Sequence, residues 1–353
     1  MDNHIHVSTI PYYFSPTKET QPNLKRSTIV NYSSFRVNEA TICHKISNIH
    51  CYANYFAILD DYERLNMSQL NDDNIVEKLS VNSAENMNYY LFTYYDKGAI
   101  DFSDFLYDAL HIKKLISDMI CQFEHLLYAL HLLHEHDICY FNMSPKNIVF
   151  LQNAREKPVL TDFKYSLQLN RLQYTYISPI LHNVDNYTYQ PFEVHLLFYF
   201  VKHHMVTISY SFIEDFCREF VDQLSILRLF SEQYKQQYKE QCIEMMRQYI
   251  NVPRTQIIND LLERSDKWDI YSISMIFLHI FGCMSRVFSL KGTFITKIVL
   301  VLAKNLHPNA DKRMSLEELL NIFNKYLNEQ EDWSFINQLD DAKMTQLFDE
   351  LEK

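Results

Sequence analysis

Residues 111–136, HIKKLISDMICQFEHLLYALHLLHEH, carry apolar side chains at helical spacing for about seven turns. A stripe of that length is satisfied only by a helix pressed along a core. The next segment, ICYFNMSPKNIVF at 138–150, has a different rhythm: an apolar lead-in, N-x-x-P-K-N, then a short β-branched run. NIVFLQ and PVLTDF then flank the turn-like NAREK and predict a β-hairpin. Long helix, loop and hairpin in immediate succession fix the middle of the chain, and other elements must be arranged around them.

Upstream, residues 1–35 alternate in short stretches (HVSTIPYYF, STIVNY) that read as strands. SSFRVNEATICHKISNI predicts a helix capped by Ser33 or Ser34, with Val37, Ile42 and Ile46 at its apolar spacing. NYFAILDDYERL and MNYYLFTYY predict two more strands. From DFSDFLYDAL the pattern turns helical, and after residue 190 it stays so. The expected class is α+β: a small strand-rich unit over 1–95, a larger helical unit over 96–325, and an acidic tail over 326–353.

A formal net charge of -11 and no long Lys/Arg block argue against nucleic acid as a partner. The seven cysteines are scattered, with no C-x-x-C pair, which suits reduced thiols and an intracellular, cytoplasmic setting. No basic segment followed by an apolar core opens the chain, and HLLFYFV and ITKIVLVLA are too short to cross a bilayer, so neither a secretory signal nor a membrane partner is expected. Much Tyr, Asn and Ile with three glycines fits an AT-rich genome, viral or parasitic, and hence host cytoplasm or a virion.

The order of elements resembles the protein-kinase fold, and particular residues carry the resemblance. YFNMSPKN is similar to the catalytic loop H-R-D-L-x-x-x-N, with Asn142 at the place of the aspartate and Asn147 at that of the asparagine. Asp162-Phe163-Lys164, fifteen residues beyond Asn147, resembles D-F-G. Pro191-Phe192-Glu193 resembles A-P-E, WDIYSISMIF resembles the buried helix that begins with Asp269, and NADKRMSLEELL supplies Arg313 to pair with Glu193. The resemblance covers roughly residues 20–325 and implies a bilobal fold of serine/threonine-kinase type. The stretch between Glu193 and Asp269 is about 60 residues longer than the family's, a helical insertion over 195–268.

The same comparison exposes what is missing. Kinase chemistry requires metal ions on the phosphates, a lysine to orient them and a base for the hydroxyl proton. Asp162 and Asn147 retain oxygen ligands for a metal, but Asn142 has no basic site. Ser144 stands where the family's serine/threonine members carry a lysine, and Lys164 replaces the turn glycine. The Lys164 ammonium either contacts phosphate in place of a metal or points to solvent. No glycine precedes Gly98, so no phosphate-cradling loop exists there. Glu39 is the carboxylate expected to pair with a strand lysine; pattern puts Val30 or Asn31 at that lysine's place and leaves Lys25 as the candidate. The resemblance thus implies a pseudokinase acting through nucleotide or protein binding, with ATP and Mg²⁺ bound weakly or not at all. The alternatives are an active divergent kinase and a scaffold that binds no nucleotide.

Other features have plainer readings. His131, His134 and His136 are expected to pack or face solvent rather than bind a metal. Tyr174, Tyr176, Tyr187 and Tyr189 lie where kinases carry regulatory phosphosites, yet the chain has 25 tyrosines and ordinary packing is the simpler role. The 195–268 insertion is either a platform for a protein partner or a decoration on the large unit. The tail is either solvated or an amphipathic helix docked through Trp333, Phe335, Leu339 and Leu347.

Overall fold

Period-two alternation is confined to short stretches, so the sheets are small and the helices dominate. The structure, a computed structural model, describes residues 10–13, 25–31, 34–59, 61–64, 89–95, 99–151, 157–184, 187–203, 207–330 and 333–353. Strands β1 (Ile10–Tyr13) and β2 (Lys25–Asn31) precede helix α1 (Ser34–Ser47), and β3 (Asp61–Arg64) and β4 (Tyr89–Tyr95) follow it. They form an antiparallel sheet in the order β1-β2-β4-β3, with Ile29 opposite both Ile10 and Leu91. The expected strand over NYFAILDDYERL is only partly present. Tyr52–Asn54 is a 3₁₀ turn, and the segment meets the rest of the fold through backbone bonds from Ala57 to Leu160 and from Leu160 to Tyr55.

In α1 the buried stripe is Glu39, Ile42, Cys43 and Ile46, the i, i+3, i+4, i+7 set of one helix face. Val37, assigned to that stripe from sequence, falls off it and is 42% exposed. The shift matters because it turns the Glu39 carboxylate inward.

The larger unit begins with β5 (Ala99–Asp101) and α2 (Phe102–Tyr107), where Asp101 caps the helix by accepting from the Asp104 amide at 2.9 Å. Helix α3 (Ile112–Glu135) follows, then β6 (Ile138–Cys139), β7 (Ile148–Leu151), β8 (Val159–Leu160) and β9 (Leu167–Gln168). β7 and β8 form the expected hairpin, pairing Ile148 with Leu160, and β5 extends it to three strands; β6 pairs with β9 across the mouth of the loop between them. Then come α4 (Tyr174–His182), α5 (Phe192–Lys202), α6 (Tyr210–Gln223), α7 (Glu232–Arg247), α8 (Arg254–Leu262), α9 (Trp268–Val287), α10 (Phe294–Asn305), α11 (Leu316–Asn328) and α12 (Met344–Glu352).

Helix α9 is apolar on nearly every side and is the axis of the core; Phe277 packs on Phe123 of α3 with ring centroids 4.7 Å apart. A Cβ at Gly282 would come within 2.7 Å of Leu229, so glycine there permits the close approach of the 225–229 turn. The stretch Ser265–Val287 is long enough to cross a membrane and an 18-residue window of it reaches a mean hydropathy of 1.4, but 83% of that window is buried inside the fold, as in a core helix.

Between 195 and 268 the helices are knitted inward: Ile213, Cys217, Phe220, Tyr238 and Cys242 are buried, and the Tyr238 hydroxyl donates to the Leu306 carbonyl at 2.8 Å. The tail is docked rather than solvated. Met344, Leu347 and Leu351 are buried, and Asp341 accepts from the Ile112 amide at 2.9 Å, with His111 on its other oxygen at 2.8 Å. Of the four side chains expected to dock it, Leu347 is fully buried and Trp333 is 38% exposed.

His195 of α5 gives the fold a measurable acid sensitivity. Burial lowers its value to about 4, against backbone groups of Gln190 and Tyr187 that raise it. The folded value lies below the unfolded one near 6.5, so the unfolded chain takes up the proton first. The contribution is intact above about pH 6.5 and is lost as pH falls to about 4, a total of about 3 kcal/mol. Urea unfolding at pH 7 and pH 4 is expected to show that difference between wild type and His195→Leu; equal acid sensitivity would contradict it.

Candidate functional site

The loop between β6 and β7 is held by a single carboxylate. Asp269, fully buried at the start of α9, accepts from the Tyr140 amide at 2.7 Å, the Phe141 amide at 2.8 Å and His134 Nε2 at 2.9 Å. Phe141 sits at φ 61°, left-handed backbone that costs a residue with a Cβ about 1–2 kcal/mol. Its conformation is over-determined: Asp269 takes its N–H, Gln190 Nε2 donates to its carbonyl, and its ring lies 5.5 Å from that of Trp268. Tyr140 is buried and its hydroxyl donates to the Thr161 carbonyl at 2.5 Å. Burial first, then the Asp162 and Asp269 carboxylates, push that phenol well above its usual range.

That anchoring aims the residues that follow. Asn142 Nδ2 donates to the backbone carbonyl of Asp162 at 2.9 Å, and Asn147 Nδ2 donates to the carbonyl of Asn142 at 2.8 Å. Ser144 leads into the 3₁₀ turn Pro145–Asn147 and accepts from the Asn147 amide at 3.0 Å. Asp162 adopts φ 60°, ψ 63°, and its Oδ2 is 3.0 Å from the ammonium of Lys164, two residues on. The Lys164 ammonium thus pairs with the carboxylate expected to hold a metal, a third position beside the two considered from sequence. The same ammonium lies 4.9 Å from the centroid of the Tyr165 ring. Asp162 and Lys164 are each a little under one-third exposed, so the pair is in contact with solvent.

Helix α1 closes the other side. Asn38, buried, donates to the Ser166 carbonyl at 2.8 Å and accepts from the Tyr176 hydroxyl at 2.7 Å; that hydroxyl in turn accepts from the Gln168 amide at 3.1 Å. Ser166 Oγ donates to the Tyr140 carbonyl at 2.9 Å, so one chain of bonds runs from α1 through Ser166, two residues past Lys164, to the loop. Glu39 is buried and accepts from Arg36 Nη1 at 2.7 Å. Lys25 opens β2 opposite Tyr95, and its side chain lies outside the described residues. Cys43, one turn on from Glu39, has its thiol pushed up to about 12 by burial and by the Glu39 and Asp162 carboxylates, with a backbone bond from Leu59 opposing.

Below the loop, Arg313 and Glu193 meet in a fully buried two-pronged pair at 2.6 and 2.8 Å. Arg313 also donates to the His307 carbonyl at 2.8 Å and lies 4.9 Å over the Tyr271 ring. The structure therefore brings Asn142, Asn147, Asp162 and Lys164 into one cluster, sets Asp269 directly beneath it, and places the Glu193–Arg313 pair deeper in the helical unit.

Sequence reasoning missed three contributors. Asn38 announces itself only as a poor helix former inside α1. Gln190 and Ser166 give no signal in one sequence. His134 is half of the packing role expected for its cluster, since it spends its Nε2 on Asp269; among the described residues no group of three or more His, Cys, Asp or Glu is placed to hold a metal ion. Of the four tyrosines, Tyr176 is tied to Asn38 and Gln168, and the Tyr174 hydroxyl accepts from Arg254 at 2.6 Å. No protein-family model matches the chain, and no curated protein matches it as a relative.

Removing the Asp269 carboxylate leaves two buried amides without acceptors. Asp269→Ala is expected to cost about 3–5 kcal/mol in urea unfolding, and Asp269→Asn less, because its amide oxygen keeps one of the bonds. Hydrogen exchange at the Tyr140 and Phe141 amides is expected to rise in Asp269→Asn. A loss below about 1 kcal/mol in the alanine variant would show that the loop is held by something else.

Proposed function

We propose that this chain is a bilobal protein-kinase-like protein, of serine/threonine-kinase type, that does not transfer phosphate and acts by binding: a pseudokinase. The state of Asp162 carries the reading. Its carboxylate is paired with Lys164 and its carbonyl is bound by the Asn142 amide, so both groups are committed before any ligand arrives.

The physical case begins at Asn142. At the place of the family's base it donates a hydrogen bond, which a carboxylate cannot do. The amide is built into the loop's packing, so restoring aspartate would set a carboxylate oxygen against the Asp162 carbonyl. Tyr140 and Phe141, in the place of the family's His and Arg, are buried and add no charge. The Asp269 contacts to the loop and the Glu193–Arg313 pair support the same assignment by satisfying the roles that the resemblance implies for them.

The residues present do not fit a catalytic divalent ion. A partly exposed Lys–Asp pair is worth up to about 1 kcal/mol, or about fivefold in metal affinity. A metal at Asp162 must also coexist with the tethered ammonium, and like charges about 4 Å apart near a protein surface repel by on the order of several kcal/mol. Asn147, whose nitrogen donates to the Asn142 carbonyl, keeps its amide oxygen as a ligand, so the misfit lies at Asp162. On this reading nucleotide binding is weak and does not depend on Mg²⁺, with Glu39, Lys25 and Lys164 as the charged groups nearest in role to a phosphate site. The working surface faces a protein partner.

The test is phosphate transfer from radiolabelled ATP to generic protein substrates. Wild type is expected to match the Asp162→Ala background, and Asn142→Asp to stay inactive while losing about 1–3 kcal/mol of stability. Lys164→Ala is expected to bind Mn²⁺ about fivefold more tightly than wild type or better, read by calorimetry. Robust transfer by wild type, abolished by Asp162→Ala, would favour an active divergent kinase instead.

A further inference from the structure

Away from the loop, Phe230, α7, α10 and α11 leave a groove of about 600 Å³ between them. One wall is Phe230 and Tyr234, stacked with centroids 4.2 Å apart at 14°; the other is the outward face of α10. That face reads Lys297, Leu300, Val301, Lys304, the i, i+3, i+4, i+7 positions of one stripe. Leu300 is 62% exposed, an apolar side chain at the centre of an apolar trough. Leu110, though more exposed, lines none of the described cavities.

Charge identifies what fits. The groove lining carries Lys297, Lys304 and His307 and no carboxylate, in a chain of formal charge -11. Burial and the neighbouring Arg313 lower His307, which leaves the two lysines as the positive charges at neutral pH. Neither lysine forms an ion pair among the described residues; Lys297 lies 5.5 Å from the centroid of the Tyr326 ring at one end of the trough. Seven residues of α helix set the two lysine Cα atoms about 10 Å apart along the groove. A carboxylate pair of the same spacing occurs on one face of a helix.

We propose that this groove docks an amphipathic helix of a partner protein. The helix lays Leu-type side chains against Leu300, Phe230 and Tyr234, and carboxylates seven residues apart against Lys297 and Lys304. The mode is helix-in-groove recognition, with burial providing affinity and the lysines providing orientation and selection for acidic sequences. It does not depend on whether the phosphate site is active, since none of its residues touches Asn142, Asp162 or Lys164.

The test uses the full chain and three synthetic helical peptides of about 16 residues, read by fluorescence polarisation. One has an apolar stripe flanked by glutamates seven apart, one replaces those glutamates by lysine, and one keeps the glutamates but replaces the stripe by serine. The glutamate peptide is expected to bind with Kd on the order of 10 μM, at least tenfold tighter than either control, and to weaken several-fold between 50 and 300 mM salt. Leu300→Asp is expected to lose binding at least tenfold, and the pair Lys297→Glu, Lys304→Glu to invert the preference toward the lysine peptide. Thermal unfolding of these surface variants checks that the fold is intact. No binding at about 1 mM, equal binding of the acidic and basic peptides, or indifference to both variants overturns the proposal. So does sedimentation showing that wild type self-associates and Leu300→Asp does not, which would assign the groove to a second copy.

Discussion

Asp269 accepts three hydrogen bonds in a site with no access to water, and the site's geometry descends from them. A buried carboxylate is tolerated only when its oxygens are satisfied, and here two of the three bonds come from the backbone of the loop itself and the third from His134. The arrangement holds Phe141 in left-handed backbone, which no bulky residue adopts by preference. Once Phe141 is turned, the direction of Asn142 is set, and with it the bond from the Asn142 amide to Asp162.

On the proposed reading, form and chemistry separate at that bond. The Asp269 carboxylate and the two asparagines hold the loop in shape, above the buried Glu193–Arg313 pair. The site then offers an amide donor at Asn142 and, at Asp162, a carboxylate already matched with a cation. The small sheet-bearing region is tied to this loop through Asn38, Ser166 and Tyr176, so neutral hydrogen bonds couple α1 to the segment that follows Lys164. Such bonds are worth about 1 kcal/mol each and are insensitive to salt, which suits a fixed platform better than a charge-driven switch.

Much of this was legible in the sequence because periodicity reports burial directly. The long helix and the hairpin follow from spacing, the buried α9 was expected from the resemblance of WDIYSISMIF, and α+β follows from the order of elements. The site residues Asn142, Asn147, Asp162 and Lys164 were read as a set from their resemblance to two kinase motifs, and the fold does bring them together. Their partners were not. That Lys164 would fold back on Asp162 depends on backbone dihedrals at Asp162, which a sequence pattern does not encode. Val37 was assigned to the buried stripe because it is apolar and at roughly helical spacing from Ile42 and Ile46, and it lost the place to Glu39, whose burial no hydropathy pattern can reveal. The docking of α12 was an open alternative because an amphipathic segment needs a receiving surface, and that surface is assembled from α3 and α9, more than sixty residues away.

The most direct measurement of Asp162's commitment is the thermal unfolding of the full chain with ATP, with and without Mg²⁺ or Mn²⁺. If the carboxylate belongs to Lys164, any stabilisation by ATP is the same with and without the metal and survives Asp162→Ala. A shift of several degrees that requires the divalent ion and disappears in Asp162→Ala would mean that Asp162 binds metal, and would contradict the account.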